Sequence, residues 1–126
     1  VSGGYTCFSA GIAAFEGEPA SSSSIKVLKD SWEIDISSHR ARRVSRKDIM
    51  DAFLILTMTQ SHKNALIGAF PGLQSKIFTL GEFTGSVGNN DIKDPFGQPV
   101  QVYRECAAEI KSAVDKLIEK LKEFDA

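Results

Sequence analysis

The chain has 126 residues, 15 Lys and Arg against 16 Asp and Glu, a net charge of −1 and 42% hydrophobic residues. That length suits one domain with a sizeable core, so a single domain over residues 1–126 is expected. A charge so near balance excludes the basic surface of a general nucleic-acid binder or of a protein drawn to anionic membranes, and no apolar run approaches the roughly twenty residues of a membrane-spanning helix.

Read from the N-terminus, Tyr5–Ser9 is short, β-prone and bounded by Gly3-Gly4 and Gly11, and reads as a strand. Ser21 or Ser22 can cap a helix running to about Ser31, with Ile25, Val27 and Leu28 as its apolar positions. Arg40, Arg42, Arg43, Arg46 and Lys47 make a basic cluster, either a solvated face or an attractor for an acidic or phosphorylated partner. Ser45 followed three residues later by Asp48 resembles a capping box and starts a short helix through Ala52. Phe53–Met58 is a continuous apolar run, the pattern of a parallel strand buried on both faces. Ser61 to Ala69 reads as a helix stopped at Phe70-Pro71-Gly72, and Lys76–Leu80 as a third strand. Phe8, Phe53, Phe70 and Phe78 are expected in the core. Pro99 opens the last helix, in which Tyr103, Cys106, Ala107, Ile110, Val114, Leu117 and Leu121 recur at helical spacing. Strands separated by helices imply an α/β fold, a parallel sheet covered by helices on both faces.

The segment from Asp91 to Tyr103 is the most informative for chemistry. Pro95 fixes its own φ and pushes Asp94 out of the helical region, and Gly97 lets the chain turn before the last helix. A carboxyl group on a stiff surface loop suits a general acid that meets a bound substrate. Phe96 has no evident core to enter and is a candidate pocket wall. The bland alternative is an ordinary Asp-Pro turn with a buried Phe. Ligands of open α/β sheets bind beyond the carboxyl ends of the strands. Ser9-Ala10-Gly11, Thr57-Met58-Thr59 and the Gly81–Gly97 loop all leave strands there, so Ser9, Phe15 and Asp94 can converge.

Several segments in order carry a resemblance: Ser9-Ala10-Gly11-Ile12, Phe15-Glu16-Gly17-Glu18-Pro19-Ala20, Ile34-Asp35-Ile36-Ser37-Ser38-His39-Arg40-Ala41-Arg42, the runs 53–59 and 76–80, and Asp94-Pro95-Phe96-Gly97. Together they resemble the low-molecular-weight protein-tyrosine phosphatases, in the bacterial branch that includes protein-arginine phosphatases. The resemblance covers essentially the whole chain. It implies a three-layer sandwich with a parallel sheet, and a reaction through a cysteinyl-phosphate intermediate on a phosphorylated protein substrate. It further implies that Asp94 protonates the leaving atom and then deprotonates the hydrolytic water, that Phe15 and Phe96 wall the substrate, and that Ser9 and His39 support the phosphate loop by hydrogen bonds. Phe96, where many tyrosine-specific relatives carry Tyr, tilts the reading towards phosphoarginine.

The family's Cys-x5-Arg-Ser phosphate loop is not in these residues. Neither Cys7 nor Cys106 has an arginine six places on. The expectation is a domain without its first strand and first helix, roughly thirty residues by the size of such a unit, and inactive as it stands. The alternatives are a non-catalytic phosphatase-like binding module and, after it, an arsenate reductase. Two distant cysteines and no signal peptide point to a reducing cytosol without a disulfide. With His39 and His62 as the only histidines and no metal-ligand spacing, no metal and no cofactor are expected, and His62 is assigned no role.

Overall fold

The computed structural model describes residues 7, 9–12, 15–85 and 91–125, with side chains to residue 123. These fall into two compact units, residues 1–46 with 94–108 and residues 47–93 with 109–126. The strand expected over Tyr5–Ser9 and the core position of Phe8 lie outside the described residues, Cys7 and Ser9 excepted.

In the first unit, α1 spans Ser22–Trp32. The Ser21 hydroxyl accepts from the Ser24 amide, which satisfies one of the N–H groups a helix start leaves without a partner. At the other end Glu33 takes the left-handed conformation at φ 56°, and its N–H closes on the Leu28 and Lys29 carbonyls. Lys26 and Asp30, one turn apart, pair at 2.8 Å on the exposed face. Lys26 also holds the Asp30 carboxyl below the usual carboxylate range, first by that hydrogen bond and then by its charge. Val27 and Tyr103 are buried.

The second unit holds the sheet. The strands β1 (Ile55–Thr57) and β2 (Ile77–Thr79) are parallel, with Ile55 opposite Ile77, Leu56 opposite Phe78 and Thr57 opposite Thr79. A parallel pair needs a crossover of a dozen or more residues. Here it contains α3 (Gln60–Ala69), which starts on a Thr59 hydroxyl cap, and a single 3₁₀ turn at Gln74–Lys76. The short helix α2 (Arg46–Asp51) leads into β1 and buries Ile49. Lys76, at the end of the 3₁₀ turn before β2, reaches to the carbonyls of Met50 and Ala52, at 3.2 and 2.8 Å.

Two strand expectations are corrected. Leu80 does not continue the third strand. It begins α4 (Leu80–Phe83), because Thr79 and Glu82 form a reciprocal capping box that turns the chain immediately after β2. The second strand is also shorter than the apolar run. Phe53 is 69% exposed and Met58 42% exposed, so Phe53 is not core. Phe53 sits in the bend between α2 and β1, and among the described residues β1 has a ladder partner only in β2. Ile55 and Leu56 are accordingly half-buried, where burial on both faces was expected. Phe70 and Phe78 are also only half-buried.

The core of this unit is Ile49, Leu66, Ile77, Leu80, Phe83, Ile92 and Leu121, with Thr57 and Thr79 buried among them. The Phe78 and Phe83 rings tilt against each other at 5.5 Å between centroids. Lys63 lies over the Phe78 ring and Lys120 over the Phe83 ring, covering aromatic faces with cations. Lys63 also pairs with Glu82, which accepts the Thr79 amide at 2.8 Å. Asp91 accepts from the Gln60 amide and the Ile92 amide donates to the Met58 carbonyl, both at 2.8 Å, which pins residues 91–92 beside the C-terminal end of β1.

The last helix, α5 (Val100–Asp125), is 26 residues long and starts directly after Pro99. Its part up to Ala108 belongs to the first unit and the remainder to the second. Tyr103 and Leu121 are buried, and Cys106, Ala107, Ile110, Val114 and Leu117 are half-buried, on the spacing the sequence predicts.

Candidate functional site

All five candidate residues, Ser9, Phe15, His39, Asp94 and Phe96, belong to the first unit. All five are exposed. No metal-ligating cluster of His, Cys, Asp and Glu exists among the described residues.

An extended segment at residues 40–44 organises the surroundings of three of the five positions, Ser9, Phe15 and His39. Backbone groups alternate in direction along an extended chain. On one edge Arg42 and Val44 bond Gly11, the Gly11 amide donating to the Arg42 carbonyl and the Val44 amide to the Gly11 carbonyl, both at 2.9 Å. On the opposite edge Ala41 accepts from Gly17 at 2.8 Å and donates to Glu18 at 2.7 Å. The next amide on that edge, Arg43 N–H, donates to the Glu16 carboxylate. Gly11 thus bonds one edge of the segment and Gly17 and Glu18 the other, with Phe15 at the start of the turn that leads into Gly17. Gly17 permits that turn with φ 83°. Phe15 is held by its backbone while its ring is 71% exposed.

Ser9 is tied to the same segment, its carbonyl accepting from Arg42 Nε at 3.2 Å. His39 follows a tight turn. The Ser37 amide donates to Asp35 Oδ1 at 2.9 Å, and the His39 amide to the Ile36 carbonyl at 3.0 Å. Hydrogen bonds from Ser37 hold the Asp35 carboxyl below the usual carboxylate range. Arg40 then bonds the carbonyls of Ser37 and His39, at 3.0 and 2.8 Å.

Asp94 sits in a side-chain turn. Its Oδ1 accepts from the Phe96 amide at 3.0 Å across Pro95, and the Gln98 amide donates to the Pro95 carbonyl at 2.9 Å. Gly97 has φ 79°, a conformation that suits glycine and releases the chain into α5. Three constraints thus fix the carboxyl without burying it: the proline ring, the side-chain bond to Phe96 and the glycine turn. Phe96 projects with 80% of its surface exposed. An exposed carboxyl in a fixed turn can exchange protons with a bound molecule, and exposed rings can pack against one.

Sequence reasoning missed Glu16, Arg42 and Asp35. Each acts by bonding a backbone group far along the chain or around a turn, and no periodicity or spacing marks such a bond. The signal available was Asp35 two residues ahead of Ser37, a side-chain turn pattern.

Comparison with known proteins places this geometry in a wider context. The family model described as low molecular weight phosphotyrosine protein phosphatase matches residues 2–125. A protein-arginine-phosphatase of Geobacillus stearothermophilus is 39% identical over 113 residues, 90% of this chain and 74% of that protein. A low molecular weight protein-tyrosine-phosphatase of Staphylococcus epidermidis is 35% identical over 109 residues, 86% of this chain and 74% of that one. Among solved structures, a low molecular weight protein tyrosine phosphatase from T. tengcongensis superimposes with a TM-score of 0.82 at 47% identity, covering 88% of this chain and 74% of its own. The arginine phosphatase of Geobacillus stearothermophilus gives 0.83 at 38% identity, covering 90% and 72%. The fold is thus an α/β fold of that phosphatase type.

Proposed function

The chain belongs to the low molecular weight phosphotyrosine protein phosphatase family, and from that premise we propose that it serves the removal of phosphoryl groups from protein side chains, phosphotyrosine or phosphoarginine. In this reading residues 1–126 are one phosphatase-like domain. Asp94 is the general acid that protonates the leaving oxygen or nitrogen and then the general base for the hydrolytic water. Phe15 and Phe96 pack against the substrate side chain, and Ser9 and His39 support the phosphate loop. The observation that carries the reading is the Asp94 turn. Its carboxyl is anchored at one oxygen by the Phe96 amide, beside an exposed ring, on an exposed surface.

The nucleophile of this chemistry is a cysteine thiolate, kept anionic by the backbone amides and helix N-terminus of a Cys-x5-Arg-Ser loop. The 126 residues contain no such loop. They hold the acid and the substrate-facing groups, and by themselves they are expected not to turn over. A thiolate nucleophile also fits a reducing compartment, the cytosol. No helix among the described residues is long and apolar enough to cross a membrane.

The test is turnover of an aryl phosphate by the 126-residue chain and by a form that includes the loop. Activity is expected only in the second. Turnover by the chain alone, above that of its Cys7→Ser, Cys106→Ser double variant, would overturn the assignment of roles. Tight partner binding without turnover in either form would favour the non-catalytic module.

A further inference from the structure

We propose that Glu16 is a positioning residue for Phe15: its carboxylate ties the Phe15 turn to the extended segment at residues 40–44 and so fixes the ring that meets the substrate. This rests on the reading of Phe15 as a substrate wall.

On the edge that faces residues 17–18, Ala41 donates to the Glu18 carbonyl and accepts from the Gly17 amide, at 2.7 and 2.8 Å. Two residues on, Arg43 N–H points along the same edge by the alternation of extended chain. A continuing strand would offer it a backbone carbonyl. The chain has turned away at Phe15–Gly17 instead, with the Glu18 amide donating to the Phe15 carbonyl at 3.3 Å. The Glu16 carboxylate occupies the missing acceptor's place.

The tie thus spans 27 positions in sequence, and it originates one residue from Phe15. Among the described residues, the other bonds from this stretch to the segment are those of Gly17, Glu18 and the Pro19–Arg40 bridge after Phe15, and those of Gly11 before it. Gly11 lies four residues before Phe15 and Gly17 two residues after it. Glu16 supplies the anchor adjacent to the ring, and a ring that is 71% exposed has little packing of its own to hold it. A charge-assisted bond to a backbone amide is the stronger kind, and its acceptor is an oxygen, so Gln can replace Glu in it and Ala cannot.

Two measurements test this. The first is exchange of the Arg43 amide hydrogen in the 126-residue chain. Glu16→Ala is expected to speed it by about tenfold, the loss of a protecting bond, while Glu16→Gln leaves it within about twofold. Unchanged exchange in Glu16→Ala refutes the tie. The second is steady-state kinetics in the loop-containing form. Glu16→Ala is expected to raise KM about fivefold with kcat held, and Glu16→Gln to restore KM. Phe15→Ala, run alongside, separates the two claims. If Phe15→Ala leaves KM unchanged, the substrate-wall reading fails. If Phe15→Ala raises KM and Glu16→Ala does not, the positioning role fails while that reading stands. Should Glu16→Ala lower the melting temperature enough to impair folding, Glu16→Gln with faster Arg43 exchange and raised KM would likewise refute oxygen-acceptor rescue.

Discussion

Replacing Phe96 by Ala is expected to cost the fold little, and the magnitude follows from its exposure. Truncating a buried Phe to Ala costs about 3–5 kcal/mol through lost burial and the cavity left behind. Phe83 is 8% exposed, packs against Phe78 and lies under Lys120, so Phe83→Ala is expected to cost the full amount. Phe96 is 80% exposed, so only about a fifth of its surface is lost and no cavity forms; the expected cost is below about 1 kcal/mol. Phe15, at 71% exposure, should cost about 1 kcal/mol. The assay is urea unfolding followed by Trp32 fluorescence and by circular dichroism, with ΔG compared at constant m. A loss of about 3 kcal/mol for Phe96→Ala would mean that the ring is core and would remove it from any pocket wall.

Glu82→Ala removes both the Lys63 ion pair and the capping box at Thr79, and should cost about 1–2 kcal/mol by the same unfolding assay. Lys63 and the Thr79 amide hold the Glu82 carboxyl below its ordinary 4.5. A carboxyl lowered on folding contributes stability above 4.5 that is lost as the pH falls through the lower folded value, so Glu82→Gln should flatten the acid limb of stability between 4.5 and that lower value. Identical acid limbs in the two proteins would show that the pair contributes nothing. Glu33→Gly should stabilise the chain by about 0.5–1 kcal/mol, because Glu33 closes α1 at φ 56° where a side chain is disfavoured. A destabilised variant would show that the Glu33 side chain matters more than its backbone.

Much of the helical framework was legible in the sequence. Ser21 caps α1 through its own hydroxyl and Pro99 precedes α5, so local chemistry carries those starts, whereas the helix read from Ser61 begins at Gln60 on a Thr59 cap that the reading did not name. The stripe from Tyr103 to Leu121 is long enough for its period to show. The strands were less legible. An apolar run records that a segment is partly buried, but pairing decides where the strand ends. Thus Phe53 reads as core and stands exposed, and Leu80 reads as strand and begins a helix. Thr79 and Glu82 carried the signal for that helix, three residues apart, masked by the apolar run ahead of them. In the candidate site, the Asp94-Pro95-Phe96-Gly97 turn was visible because proline and glycine constrain the backbone locally. The bonds from Glu16 to Arg43 and from Arg42 to Ser9 join residues 27 and 33 positions apart, and only the folded chain brings them together.

The role of Asp94 is tested most directly by leaving-group dependence in the form that includes the phosphate loop. Asp94→Asn keeps an oxygen to accept the Phe96 amide, so the turn should persist while proton transfer is lost. For a poor leaving group, turnover is expected to fall by about 10²–10⁴, the usual range for a positioned acid, and for a good leaving group, which needs no proton, by much less. An equal loss for both kinds of substrate, or no loss for either, would contradict Asp94 as the general acid.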